Sequence, residues 1–331
     1  MRKRLFVLLI LILSLFIASS PAFSSEIAKL KKLAKDGNPE AQCILGARYI
    51  TGEGVKPDAS KAIKWFRRSA KQGYSDAQYL LGSCYFYGGG TEKNYKKAAD
   101  WYYKAAVQGH TDANFMLAVV YELSGHQKEA AGWYKVAAEK GHLQACYNLA
   151  VLYEYGKGVK KNPAEASKWL ALPAQKGHAL SQVLLGINYY EGTGVKKNYS
   201  QALNLFNKAA AQGNTDAQFF QGVAYYYGNG VKQNVPEALK IWRNAAAKGS
   251  TSAQQALDSH NDEVRRQNQQ AQRQKSQRQN TQRQQAQRQQ QAAQQQDIQA
   301  QIEAAEALTN LTADFMDAYF TATMFDVFMN W

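Results

Sequence analysis

Glycines at positions 37, 73, 109, 141, 177 and 213 open six consecutive stretches that carry the same residue types in the same order, 36 residues apart except for a third stretch of 32. A fixed period of this size constrains the fold more than any other feature of the chain. It marks stacked helical hairpins, each of which can bury its apolar face only against its neighbours. The repeats run 37–72, 73–108, 109–140, 141–176, 177–212 and 213–248, and Gly249 closes the last.

Within a repeat the residue types show two helices and a turn. The first helix carries Ala41, Ala77, Ala113, Ala145, Ser181 and Ala217, then Gly46, Gly82, Ala118, Ala150, Gly186 and Gly222, then Tyr49, Tyr85, Tyr121, Tyr153, Tyr189 and Tyr225. Small residues at these positions let a partner helix approach closely, and the tyrosine fills the space beyond. Ser75 to Gln78 and Thr215 to Gln218 have the spacing of capping boxes that open the first helix. Asp58, Asn94, Asn162, Asn198 and Asn234 stand where an N-cap must open the second, with Pro163 at a favoured first-turn position. Between the helices, pairs such as Gly52/Gly54 and Gly156/Gly158 supply positive-φ positions that end one helix and turn the chain. A phosphate-binding Gly-x-Gly follows a strand and occurs once, whereas this one follows a helix and occurs five times. The second helix carries an Ala at 62, 98, 130, 166, 202 and 238, followed by large pairs such as Trp65-Phe66, Trp101-Tyr102, Trp133-Tyr134 and Ile241-Trp242. Recurrence at one helical position makes these packing residues.

The pattern A-x-x-x-L-G-x-x-Y, G-x-G-V, N-x-x-x-A, W-x-x-x-A-A-x-x-G over about residues 26–260 resembles the Sel1-like repeat, a relative of the tetratricopeptide repeat. The third repeat departs from it, with Ser124-Gly125-His126 in place of the glycine loop, and Leu205 and Ile241 replace Trp in the last two. The resemblance implies an all-α fold, a right-handed α/α superhelix of six helix-loop-helix repeats, serving as a protein-interaction scaffold. Residues 26–36 and 250–257 fit half-repeats that cap the two ends.

Arg2, Lys3 and Arg4 precede an apolar run from Leu5 to Ala18, and Ala22 and Ser24 place an A-x-S cleavage site, so 1–24 reads as a secretory signal peptide and the chain as periplasmic or secreted. Fourteen apolar residues are short for a bilayer span. The cysteines, Cys43, Cys84 and Cys146, occupy three different repeat positions and read as buried small hydrophobes, with a Cys43 to Cys84 bridge as the alternative. His110, His142 and His178 each follow an inter-repeat glycine without a second ligand at metal-binding spacing, so no metal or other cofactor is expected.

On the first helix, positions 3, 6, 10, 13 and 14 residues after each opening glycine form a second apolar face, opposite the packing face. It carries Tyr79, Phe86 and Tyr87, then Phe115, then Tyr147 and Tyr155, then Tyr190, then Phe219, Tyr226 and Tyr227. In tetratricopeptide-type arrays the equivalent face lines a concave groove. By resemblance, Tyr79, Phe86, Tyr87, Tyr147, Tyr155, Tyr190, Tyr226 and Tyr227 would line one here, fringed by Asp76, Asp112 and Asp216, and hold a protein or peptide partner. The competing reading buries most of these rings between repeats.

Of the formal net charge of +14, +12 falls on residues 26–260, the array. Lys56, Lys93, Lys160, Lys161, Lys196, Lys197 and Lys232 recur on the loops as a ridge, either solvated or in contact with anionic envelope polymers or lipid headgroups. Export and the absence of a base-reading motif argue against nucleic acid. The chain has no S-x-x-K, no G-x-S-x-G and no catalytic constellation outside repeat positions, so it reads as a non-enzyme, with an envelope enzyme as the competing class. Residues 261–296 hold 17 Gln and seven basic residues with no aromatic, a linker that is helical or disordered. Residues 297–331 contain no Lys or Arg and place Leu308, Leu311, Phe315, Ala318, Ala322, Phe325 and Met329 on a heptad-like stripe, an acidic amphipathic helix suited to self-association, to docking back on the array or to a partner.

Overall fold

The computed structural model describes residues 21–288. The apolar run of the expected signal peptide, the 289–296 end of the Gln/Arg-rich stretch and the acidic stretch 297–331, expected to be helical, lie outside the described residues. Among the described residues every regular element is an α-helix. They divide into two compact units, one ending at Lys176 and the other starting at Gly177.

The first unit holds α1 (Pro21–Lys35), α2 (Pro39–Thr51), α3 (Ala59–Lys71), α4 (Ser75–Tyr87), α5 (Tyr95–Ala106), α6 (Thr111–Leu123), α7 (Gln127–Glu139), α8 (Leu143–Tyr155) and α9 (Pro163–Gln175). The second holds α10 (Ala179–Glu191), α11 (Tyr199–Ala211), α12 (Thr215–Tyr227), α13 (Val235–Ala247) and α14 (Thr251–Arg288). The α2/α3 pair shows how each hairpin closes. The Asp58 N–H donates to Tyr49 O (2.9 Å) beside the loop, and Ser69 Oγ donates to Pro39 O (2.6 Å) at the far end. The two helices are therefore antiparallel. Asn94, Asn162, Asn198 and Asn234 repeat the loop bond to the carbonyls of Tyr85, Tyr153, Tyr189 and Tyr225.

The small residues expected on the first helix do bring the helices together. Gly46 faces Phe66, Gly82 faces Tyr102, Gly186 faces Phe206 and Gly222 faces Trp242, and in each pair a Cβ on the glycine would collide with the ring. Phe66, Tyr102 and Phe206 are fully buried, and each such side chain contributes roughly 2–3 kcal/mol of hydrophobic stabilisation. The recurring Trp65, Trp101, Trp133 and Trp169, one residue earlier, are only half-buried. Trp133 packs edge-on to Tyr103 of the preceding repeat, 5.9 Å between centroids.

All five expected N-caps of the second helices are present, with Asp58, Asn94, Asn162, Asn198 and Asn234 each accepting a backbone N–H three residues on. The capping boxes expected at the first helices are not. Ser75 and Thr215 already lie inside the helix, and the cap position falls one residue earlier, directly after the inter-repeat glycine. There Asn38 and Asn214 accept through their side-chain oxygens, while His110, His142 and His178 accept through Nδ1.

Gln78 serves as a link between repeats instead of a capping residue. Its Nε2 donates to Ala70 O (3.2 Å) and its Oε1 accepts from Gln108 Nε2 (2.7 Å). Gln42 is held by Ala34 and Gln72 in the same way, and Gln182 accepts from Gln212 at 3.0 Å.

Candidate functional site

In the first unit, consecutive first helices meet through the capping histidines. Tyr79 of α4 stacks on His110 with 4.7 Å between centroids, and Phe115 of α6 stacks on His142 at 4.4 Å. Since His110 Nδ1 accepts the Ala113 N–H (3.2 Å) and His142 Nδ1 accepts the Ala145 N–H (3.1 Å), the ring proton sits on Nε2. That nitrogen faces the acidic residue of the preceding repeat, Asp76 at 3.5 Å from His110 and Asp112 at 3.7 Å from His142. The opening glycine thus precedes a cap, a stacking platform and a carboxylate contact in one residue. By sequence alone these histidines are repeat-position residues with no assigned role. The signal available was their place one residue before the first helical turn.

The tyrosines expected to bind a partner separate into three groups. Tyr87, Tyr155 and Tyr227 occupy the last helical residue of α4, α8 and α12 and are 65%, 45% and 49% exposed. Leu123 stands at the same place in α6, 60% exposed, and was not among the expected contacts. Tyr79, Phe86, Tyr190 and Tyr226 are half-buried. Phe86 lies between Tyr87 (4.8 Å) and Tyr95 (5.3 Å). Tyr147 is buried, so in that repeat the alternative reading of a packing ring holds, as it also does for Phe219. Burial pushes the Tyr147 hydroxyl up to about 12.

In the second unit the partly exposed rings are held by side-chain bonds. Asn229 Nδ2 donates to Tyr190 Oη (2.6 Å), and Tyr190 packs edge-on to Tyr199 at 5.0 Å. Tyr226 stacks on Trp242 (5.2 Å), and its hydroxyl is 3.1 Å from His260 Nδ1 of α14. Packing of α14 on this unit rests on Ala253, Ala256 and Leu257. Beyond them the described side chains as far as Lys275 are almost all exposed, so α14 leaves the array as a polar helix that carries on the half-repeat cap. The part of the Gln/Arg-rich stretch within the described residues is helical.

Burial, and to a smaller extent neighbouring carboxylates, raises the hydroxyls of Tyr79, Tyr155, Tyr226 and Tyr227 above the usual phenol value, which keeps them neutral hydrogen-bond donors. Burial also raises Glu191, which accepts from Thr193 Oγ1. Cys43, Cys84 and Cys146 are free and buried, so the alternative Cys43 to Cys84 bridge is not formed. Among the described residues no group of His, Cys, Asp and Glu could hold a metal ion, and no helix is long and apolar enough to cross a membrane. The loop lysines at 56, 93, 160, 161, 196, 197 and 232 are all exposed.

The sequence profile of the Sel1 repeat matches residues 39–74, 75–110, 111–142, 143–178, 179–214 and 215–250. A Sel1 repeat protein from Oxalobacter formigenes is 30% identical over 68% of this chain and 95% of its own, with a TM-score of 0.54. A protective antigen of uropathogenic Escherichia coli with an SLR fold is 32% identical, with a TM-score of 0.49; the match covers 70% of this chain but only 58% of the antigen. Cysteine-rich protein B of Helicobacter pylori is 29% identical over 38% of this chain and 92% of its own, with a TM-score of 0.32. No curated protein matches. Sel1 repeat proteins are generally non-enzymatic helical scaffolds that mediate protein interactions. Six matched repeats covering more than half of its length place the chain in the Sel1 repeat family.

Proposed function

We propose that the chain is an exported scaffold that holds a protein or peptide segment against the aromatic face of its first helices. The observation that carries this reading is the exposure of Tyr87, Tyr155 and Tyr227 at one repeat position, where a large aromatic ring adds little to packing. Rigid tyrosines of this kind offer contact area at low entropic cost together with a hydrogen-bond donor. Tyr79 and Phe86 in the first unit, and Tyr190 and Tyr226 in the second, half-buried and fixed by neighbours, preorganise the face within each unit. Export rests on the N-terminal 1–24 pattern, and Ile27, Leu30 and Ala34, through which α1 packs, all lie after it.

A photoreactive residue at Tyr87 or Tyr227 in cells making the full chain should yield a discrete protein adduct. The same group at Lys160 should not. Adducts at the lysine and none at the tyrosines would favour the loop ridge and an anionic envelope polymer instead. The secreted or periplasmic product should begin at Ser25 by intact mass; retention of the first 24 residues would remove the case for export.

A further inference from the structure

The charge of this protein is divided between the first and second helices of its repeats. The first helices α4, α6, α8, α10 and α12 contain no Lys or Arg, although the chain as a whole is +14. They carry Asp76, Asp112, Glu122, Glu154, Glu191 and Asp216. α2 has Arg48, paired with Glu53 and Glu26. The second helices and the loops carry the cations of the array: Lys61, Lys64, Arg67, Arg68 and Lys71 on α3 are one such set. We infer that the first-helix face within each unit takes a cationic segment, a Lys- or Arg-bearing stretch of a partner protein, with its positive side chains laid over the tyrosines and beside the carboxylates.

The placement of the rings and carboxylates supports that occupant. Asp112 and Tyr79 are close enough for the carboxylate to raise the phenol, as are Glu154 and Tyr155, Glu191 and Tyr190, and Glu263 with both Tyr226 and Tyr227. A tyrosine ring flanked by a carboxylate attracts a guanidinium or ammonium through both its π face and the charge. The chain already makes one such contact with itself: Lys157 Nζ is 6.0 Å from the Tyr155 centroid. An acidic segment would meet these carboxylates, and the cations of this protein that could receive it lie on the loops and second helices. Without Arg2, Lys3 and Arg4 the chain lacking residues 1–24 is still +11 (14 less 3), and its long-range field repels a cationic peptide, so capture requires a local site.

This inference rests on the reading that the first-helix face binds a partner, and the two can be separated in one titration. Fluorescently labelled twelve-residue peptides of equal apolar content, with their polar positions all Lys, all Ser or all Glu, are titrated with the full chain lacking residues 1–24 at about 150 mM salt. The Lys series should bind at least tenfold tighter than the Ser series. Asp112→Asn with Glu191→Gln should weaken the Lys series about tenfold and leave the Ser series unchanged; circular dichroism controls for folding. Equal affinity of Lys and Ser peptides, lost in Tyr87→Ala/Tyr155→Ala/Tyr227→Ala, would overturn the charge preference and keep the aromatic face. Binding of every series unaffected by the tyrosine variant would remove the face itself. Salt-sensitive self-association abolished by the carboxylate variant, without peptide binding, would make the Arg265 to Arg288 stretch of a second copy the occupant and overturn assignment to a separate partner.

Discussion

His142 closes the first turn of α8 with Nδ1 and turns Nε2 toward Asp112 of the preceding repeat, 3.7 Å away. Protonation would place a hydrogen on Nδ1, against the Ala145 N–H, and abolish the cap. Burial holds this imidazole below its ordinary value, with the Asp112 charge pulling the other way. A depressed folded value means that the unfolded chain binds more protons between that value and the ordinary one near 6.5. The cap's contribution is therefore complete above about pH 6.5 and is lost as pH falls further. His142→Asn keeps an acceptor at the cap and removes the titration. Between pH 7 and 5 the wild-type chain should lose about 1 kcal/mol more stability than this variant, read from urea midpoints at each pH. Parallel losses would show that His142 does not titrate as a cap.

Gly82 and Gly132 make opposite predictions for the same substitution. A Cβ on Gly82 would lie 2.7 Å from Tyr102 Cδ1, and the Tyr102 ring, fully buried, has nowhere to move. Gly82→Ala should cost about 1–3 kcal/mol through overpacking. Gly132 sits inside α7 with nothing within 4 Å of its would-be Cβ. Gly132→Ala should stabilise by about 0.5–1 kcal/mol, because it removes unfolded-state entropy without a clash. The two midpoints should move in opposite directions in the same denaturant series.

The architecture was legible in the sequence because it is written six times. The small residues at Gly46, Gly82, Gly186 and Gly222 let the second helix come close as their recurrence implied, each against a ring of that helix, and the five second-helix caps fell on the residues whose side chains can reach an N–H. Ser75 misled because a capping box is a local pattern, and the residue after the glycine competes for the same N–H groups from one position earlier. The candidate face was harder to read. Helical periodicity places Tyr147 and Tyr155 on one side of α8, yet Tyr147 is buried and Tyr155 exposed, since depth along the helix, set by the neighbouring repeat, decides between them. The histidine stacking and the glutamine links needed contacts between repeats, which no single-helix pattern contains.

Those links give a gain-of-stability test. Gln42, Gln78 and Gln182 each receive a hydrogen bond from a glutamine, at 72, 108 and 212, that ends the same repeat. In the sixth repeat the corresponding residue is Lys248, and Gln218 Oε1 is buried without a hydrogen-bond partner. Lys248→Gln should supply the missing donor and stabilise by about 0.5–1.5 kcal/mol. The reverse change, Gln108→Ala, should cost a similar amount or more by orphaning Gln78 Oε1. A double-variant cycle with Gln78→Ala distinguishes the hydrogen bond from helix propensity: the double variant should lose about 0.5–1.5 kcal/mol less than the sum of the two singles, whereas additive losses would show no bond between the two side chains.

The three thiols report on the folded array as a whole. Burial pushes Cys43 up to about 12 and Cys84 up to about 11, and it raises Cys146 as well. A thiol that is both buried and protonated is a poor nucleophile, because disulfide exchange and alkylation proceed through the thiolate. At pH 8 the native chain should therefore give almost no reaction with an aromatic disulfide reagent, and three equivalents once denaturant is added. The native-state rates should fall into two classes, with Cys43 and Cys84 sharing one packed cluster and Cys146 in another. Gly82→Ala, which strains the first of these clusters, should accelerate Cys84 before it accelerates Cys146. Rapid stoichiometric labelling of Cys84 in the unaltered native chain would contradict the packing described for α4 and α5.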